Sequence, residues 1–457
     1  MQDNTTITFW SGLRTIGGTI ISIEHGADRI LFDFGELFHT QRLFSKGKKI
    51  RAQRYTSDLL KLQALPAIKG IYSSHSLLDT PLLPFEESRQ QTAVFISHLH
   101  LDHIGSIMHL APDLPLYMTE EGKRLYAALH EINTPSCEQT PDRIWGVEPG
   151  ERIRIGESIE VELLAVDHDV IGAAGMLVKT PDVKVAYTGD LRFHGIHREK
   201  SMAFIEEVKR FTPDILITEG TALREDSKLE PLLDYPKELR QENDVQEEVT
   251  THLSGAAGAA FFNWYERDLM RLKILIEAAK AAGRQVVLEP ESAYLAKQFH
   301  IPGLYLVYAP CDLSDELPLW ESRLPDVKWI TKNLLVQHAE KYFVENQFDR
   351  LFELLDFQLE SSLYIHTNGT PLGPFDPDYD KLISFLESIN CKKIDIFCSG
   401  HATGNHLQWL VEEINSPYVV PLHSFHPEKL QPAHGVRILP EPNETLRFTN
   451  GILQPQE

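Results

Sequence analysis

The sequence predicts an α/β protein in which one domain is inserted into another. Three observations carry that expectation. Apolar strand-like runs in the first half end in short clusters of ionisable residues, helix-then-strand units follow beyond residue 260, and the chain then returns to strand ends rich in histidine.

TIISIE and RILFDFG, with Gly17-Gly18 before them and Gly26 in the turn between, read as strands of an antiparallel sheet. Leu37–Thr92 reads as a loop-rich excursion with basic clusters (Lys46, Lys48, Lys49, Arg51, Arg54) and a short helix at Ser57–Leu65. TAVFIS is a buried-strand pattern that runs directly into HLHLDH and a helix-like IGSIMHLA. ESIEVELLAVDH, VKVAYTGD and DILITEGT repeat the theme of an apolar strand with a polar end, where active sites are often built. Arg224–Glu248, with nine acidic and four basic residues, reads as a solvated excursion or linker. ERDLMRLKILIEAAKAAGRQVVLE is a helix that stops at Gly283 and resumes as a strand. SSLYIHTNGTPLGPF is strand then turn, DYDKLISFLESIN helix and KIDIFCSG strand, before the helix HLQWLVEEI and the strand YVVPLHSF.

Composition narrows the function classes. The 457 residues carry 44 Lys plus Arg against 66 Asp plus Glu, a formal charge of −22. That excludes a generally basic surface that grips nucleic acid by global electrostatics, but not a local groove. The four cysteines (Cys137, Cys311, Cys391, Cys398) are too few for a disulfide framework, lack CxxC spacing and are expected to pack as small hydrophobes. No apolar run approaches the roughly 18 residues of a membrane span. The start, MQDNTTITFWSG, lacks a basic and then apolar leader, so a cytoplasmic location without a membrane partner is expected.

The string HLHLDH places His98, His100, Asp102 and His103 directly after a strand. Histidines at i and i+2 on an extended loop project the same way, while Asp102 and His103 turn towards a neighbouring position. One such loop can serve two adjacent cations, and histidine with carboxylate and no thiolate suits zinc or manganese in open catalytic sites. Two cations need further ligands from other strand ends, and His168, Asp190 and His423 stand at such ends. Taken singly, Asp33 reads as a turn former, Asp190 as a partner for Arg192, and the acids flanking His168 as solvated charge.

In order, Asp33 in LFDFG, the HLHLDH loop, His168 in DHDVIGAAG, Asp190 in TGD and His423 in PLHSF make this chain resemble the metallo-β-lactamase superfamily. Glu219 in ILITEGT, His401 in CSGHA, and the Tyr265, Arg271, Gly283-Arg284 pattern of the intervening segment are similar to its β-CASP branch, and within that branch to ribonuclease J. The acid motif reads TEGT where ribonuclease J usually carries E-S-T. The resemblance implies a metallo-β-lactamase αββα sandwich at 1–222 and 391–457, interrupted by a β-CASP α/β domain at 223–390. It implies one metal held by His98, His100 and His168, a second by Asp102, His103 and His423, and Asp190 bridging both, with zinc expected and manganese the alternative. Asp33 would brace the loop by hydrogen bonds. The chain ends soon after His423, so the further C-terminal domain of full-length ribonuclease J is expected to be absent, and a homodimer stays open.

The implied activity is two-metal hydrolysis of phosphodiester bonds in single-stranded nucleic acid, RNA favoured over DNA. Asp102 would orient the water or take its proton, His401 would stabilise or protonate the leaving oxygen, and Glu219 would hold either His401 or His168. Ser399 and the Gly400 amide would cradle a phosphate, unless they form an ordinary turn. Arg192, Arg271 and Arg284, with Lys46–Arg54, are either groove-lining or solvated charges. The rivals are a small-molecule or ester hydrolase on the same scaffold and a catalytically silent scaffold subunit.

Overall fold

The computed structural model describes residues 4–36, 51–134, 137, 143–232, 234–237, 240–309, 316–374 and 376–455. The chain forms two compact units, one from Met1–Phe193, His197–Lys237 and Gly400–Glu457, the other from His194–Ile196 and Glu238–Ser399.

The first unit is a four-layer αββα sandwich. Its first sheet runs, from edge to edge, Ile452–Leu453, Glu444–Thr449, Thr5–Ser11, Ile20–His25, Asp28–Phe32, Gln91–Phe95, Leu116–Thr119 and Ile144–Val147. Its second runs Val436–Arg437, Tyr418–Leu422, Ile215–Glu219, Lys184–Tyr187, Ala174–Lys179, Ile159–Ala165 and Arg152–Ile155. Alternate residues of facing strands (Ile21 and Ile23, Ile30 and Phe32, Val161 and Leu163, Ile215 and Ile217) meet in one core between the sheets. The helices Arg198–Phe211 and Gly404–Ile414 cover the outer face of the second sheet, burying Phe204, Ile205 and Val208 with Leu407, Leu410 and Val411 at helical spacing. Thr403 starts the latter helix by accepting from the amide of His406. Glu120–Glu131 packs against the strands Leu116–Thr119 and Ile144–Val147.

Two sequence expectations change. The hairpin of Ile20–His25 and Asp28–Phe32 is antiparallel, but the sheet continues parallel through Gln91–Phe95, Leu116–Thr119 and Ile144–Val147. The long excursion after Phe32 is the crossover a parallel pair requires. Thr5–Ser11, which sequence reading passed over, pairs with the C-terminal strand Glu444–Thr449, so chain segments from both ends complete the sheet. Within the excursion a helix forms at Tyr55–Lys61, with Arg51 paired to Asp58 and Arg54 to Asp79. Lys46, Lys48, Lys49 and Cys311 lie outside the described residues, and Cys137, Cys391 and Cys398 are buried.

The second unit holds a wholly parallel sheet, ordered Lys328–Trp329, Tyr305–Val307, Gln285–Leu288, Tyr342–Glu345, Ala260–Trp264, Leu363–Thr367 and Lys392–Asp395. The Arg224–Glu248 stretch is not simply a solvated linker. Its last part begins the helix Glu242–Gly255, and Glu242 is buried against the Arg271 guanidinium at 2.7 Å. Burying this pair removes both charges from water, and the Thr367 carbonyl at 3.2 Å takes a further Arg271 proton. Arg284 donates to the carbonyls of Ala256, Gly258 and Tyr342 and ties strand starts together.

At the C-terminal strand ends of this unit, Glu345 accepts from Trp264 Nε1 (2.8 Å), Ser292 Oγ (2.6 Å), Gln347 Nε2 (2.8 Å) and the Glu289 amide (2.9 Å). Burial, and then the Glu345 carboxylate beside it, push Glu289 well above its ordinary value of 4.5, against the Arg350 guanidinium that lies 3.0 Å from its Oε2. The folded unit therefore binds a proton that the unfolded chain has released. Its stabilising contribution is complete below pH 4.5 and is lost as pH rises through the raised value. Glu289→Gln keeps the shape and cannot ionise. It is expected to raise the Tm at pH 8 by about 2–4 °C, for ~1 kcal/mol, and to leave it unchanged at pH 4.5; a variant Tm no higher than the parent's at pH 8 contradicts this account.

Candidate metal centre

The strand-end histidines and acids that the sequence singles out as site residues all fall in the first unit. Asp33 and His98 follow the neighbouring parallel strands Asp28–Phe32 and Gln91–Phe95. Asp190, Glu219 and His423 follow or end Lys184–Tyr187, Ile215–Glu219 and Tyr418–Leu422, which are also parallel neighbours. Side chains distant in sequence therefore converge at the C-terminal ends of both sheets.

They form three groups, each with donor atoms within 4.8 Å of one another: His98, His100 and His168; Asp102, His103, Asp190 and His423; and Asp190, Glu219 and His401. In the first, His100 Nδ1 lies 3.2 Å from both His98 Nε2 and His168 Nε2. In the second, Asp102 Oδ2 is 2.8 Å from His423 Nε2 and 3.8 Å from His103 Nε2. Between them stands Asp190, whose Oδ2 is 3.2 Å from His103 Nε2 and 3.7 Å from His98 Nε2, His423 Nε2 and His401 Nδ1. It does not pair with Arg192, which is buried beside Asp167.

Four of the ring nitrogens turned away from these groups meet an acceptor. His98 Nδ1 is 3.0 Å from Ser97 Oγ, and His103 Nδ1 is 2.7 Å from Asp33 Oδ2. His168 Nδ1 donates to the Gly400 carbonyl at 2.6 Å, and His423 Nδ1 is 2.7 Å from Thr221 Oγ1. Such partners fix the tautomer and present the opposite nitrogen to the centre. Asp33, fully buried with φ +55°, also accepts from the Ser97 amide (2.7 Å) and from Tyr187 Oη (2.9 Å). Tyr187 in turn stacks on Phe32 across the core, with ring centroids 5.2 Å apart.

The electrostatics fit cations. Burial lowers His98 and His168 and brings His100 down to about 3, so all three are neutral lone-pair donors, as metal ligation requires. Burial also opposes protonation of His103, yet Asp190, Asp33 and Asp102 outweigh it and hold that imidazole well above its usual range. Asp102 and Asp190 are held low against burial, chiefly by His103 for the former and by His423 and His103 for the latter. Three buried carboxylates concentrated around one imidazole are an excess of negative charge that divalent ions balance. Asp190 Oδ2 and His103 Nε2, both buried, have no aligned hydrogen bond among the described residues, as expected of atoms reserved for a metal.

Glu219 faces His401 and not His168. Its Oε2 is 3.2 Å from His401 Nδ1, and its Oε1 accepts from the amides of Leu191 and Ala402. Burial opposes the charge on His401, but Glu219 and then Asp190 push it up to about 10. The His401 side chain is 21% exposed and that of His100 14%, against 0% for His98 and His103, so His401 and His100 reach the open side. Gly400 orients His168 through its carbonyl, while Ser399 belongs to the second unit, where its carbonyl meets His194 Nε2 at 2.8 Å.

Neither sequence alternative for Arg192, Arg271 and Arg284 holds. They are not groove-lining and not solvated, because each is buried against acceptors of its own unit. Conversely, Asp169 is not solvated charge. Its Oδ1 lies 3.1 Å from His168 Nε2 and 3.4 Å from His100 Nε2. Ser97, Thr221 and Tyr187 also escaped sequence reading; only the position of Ser97 and Thr221 beside predicted site residues hinted at a role.

Comparison with known proteins agrees with this geometry. The Beta-lactamase superfamily domain matches residues 64–262. Ribonuclease J of Pyrococcus abyssi is 25% identical over 434 residues, covering 90% of this chain and 88% of that protein. Ribonuclease J of Sinorhizobium meliloti is 27% identical over 210 residues, 44% of this chain and 34% of that protein. The crystal structure of a protein of unknown function from Enterococcus faecalis V583 is similar with a TM-score of 0.77 and 30% identity, covering 97% of this chain and 100% of that one. With the αββα sandwich and the clustered strand-end ligands, these likenesses show that the chain belongs to the metallo-β-lactamase superfamily and is distantly homologous to ribonuclease J over most of its length.

Proposed function

We propose that the protein is a metal-dependent nuclease that hydrolyses phosphodiester bonds in single-stranded RNA. The observation that carries this reading is the Glu219–His401 pair beside Asp190. A hydrolase that needs only two cations and water has no use for a further, partly exposed and protonated imidazole outside the two ligand sets; a phosphodiester, whose leaving ribose oxygen must be charged or protonated, does. The likeness to ribonuclease J supports it.

In this reading His98, His100 and His168 would hold one cation, Asp102, His103 and His423 would hold the other, and Asp190 would be shared by the two. When bound, two divalent ions, zinc or manganese, supply positive charge for the phosphoryl oxygens and acidify a water molecule. Asp102, ionised at neutral pH, would orient that water by accepting a hydrogen bond from it. His401, with Nδ1 held by Glu219, presents Nε2 to the leaving oxygen and delivers its proton there. Asp33 keeps His103 in register. A chain of charge −22, with its central arginines buried, repels a duplex. The reading therefore places affinity on the cation-centred site and on one strand.

End-labelled single-stranded and duplex RNA and DNA, incubated with zinc or manganese, test it. Single-stranded RNA is expected to be cleaved fastest, with cleavage abolished by a chelator and by Asp190→Asn. His401→Ala should lose about 10²–10⁴-fold in kcat with little change in KM. Cleavage that survives the chelator or the Asp190 change would falsify the reading. Asp33→Asn places an amide against the His103 and Tyr187 donors and should weaken metal binding about 10–100-fold by calorimetry. Unchanged affinity in that variant would show that Asp33 does not brace the centre.

A further inference from the structure

Five of the site histidines have an identified acceptor at the ring nitrogen set against the protein: Ser97 for His98, Asp33 for His103, Gly400 for His168, Thr221 for His423 and Glu219 for His401. His100 is built the other way round. Its Nδ1 points to the first group, so its outer nitrogen is Nε2, and the charged acceptor opposite that atom is Asp169 Oδ1 at 3.4 Å. Both atoms are buried, and at this separation the pair is not aligned for a hydrogen bond. The backbone makes room for the carboxylate. A Cβ on Gly400 would lie 2.5 Å from the carboxyl carbon and from both oxygens of Asp169.

We propose that Asp169 is a positioning residue of the first metal site. When the site is filled, its carboxylate accepts a hydrogen bond from His100 Nε2–H and so holds Nδ1 towards the cation, and Gly400 lacks a side chain in order to admit that carboxylate. The two roles of Gly400 are then one device, because the same residue orients His168 through its carbonyl and His100 through the space it leaves. Asp169 also sets a full negative charge 3.1 Å from His168 Nε2, at the partly exposed side of the group where Asp169 and His100 are 16% and 14% exposed. A carboxylate there adds negative charge that favours a doubly charged cation over an empty site. The inference rests on the two-cation reading of the site but is independent of the proposed nuclease activity.

The test is a double-mutant cycle read by metal affinity in the full chain. Metal-free protein is titrated with zinc against a chromophoric chelator, with folding of each metal-free variant checked by circular dichroism. Asp169→Asn and Asp169→Ala are each expected to weaken one of the two sites about 10–100-fold and to leave the other unchanged. Gly400→Ala should reproduce that loss, and adding it to Asp169→Ala should cost nothing more, because the crowded carboxylate is already gone. Affinities within twofold of the parent at both sites in Asp169→Asn, or losses in Gly400→Ala and Asp169→Ala that multiply in the double variant, overturn the proposal. A parent that binds no zinc at all rejects instead the two-cation reading beneath it, and a parent that binds zinc normally but cleaves no RNA rejects only the nuclease assignment.

Discussion

The structure is organised around one buried carboxylate oxygen. Asp190 Oδ2 is buried, lies within 3.7 Å of nitrogens from four imidazoles, and makes no aligned hydrogen bond among the described residues. A buried carboxylate oxygen in that condition is costly unless a cation meets it. The surrounding sandwich can be understood as the framework that makes this cost bearable. Asp33, Thr221, Ser97 and the Gly400 carbonyl each hold a ring by its far side, so the near sides cannot turn away to satisfy Asp190 themselves.

That framework follows from sheet topology. Parallel neighbours bring their C-terminal ends to the same edge, and within the second sheet this sets Asp190, Glu219 and His423 side by side. The first sheet does the same for Asp33 and the HLHLDH loop. The two edges are joined through the core by Tyr187, which stacks on Phe32 and reaches Asp33 with its hydroxyl. Packing and ligation are thus one problem: a cavity at Phe32, expected to cost about 3–5 kcal/mol, would also unseat the hydroxyl that steadies Asp33.

Much of this was legible in the sequence because ligand chemistry is dense and positional. No core or solvated loop calls for HLHLDH after an apolar strand, and the need for further ligands directed attention to His168, Asp190 and His423. The rest was hidden for physical reasons. Asp169 sits among other acids and looks like solvated charge, since sequence does not show that Gly400 leaves space for it. Arg192, Arg271 and Arg284 look like surface cations because their buried partners, Asp167, Glu242 and a set of carbonyls, are distant in sequence or carry no side-chain signal. The strand Thr5–Ser11 pairs with its neighbour Ile20–His25 on one side and with Glu444–Thr449 on the other, and sequence order hides the second pairing because that partner lies near the other end of the chain.

Anomalous diffraction from crystals soaked in zinc or manganese tests the central claim most directly. The account predicts two peaks about 3.5–4 Å apart. One should be bounded by His98, His100 and His168, the other by Asp102, His103 and His423, with Asp190 Oδ2 touching both. A single peak, or two peaks neither of which touches Asp190, would contradict the account.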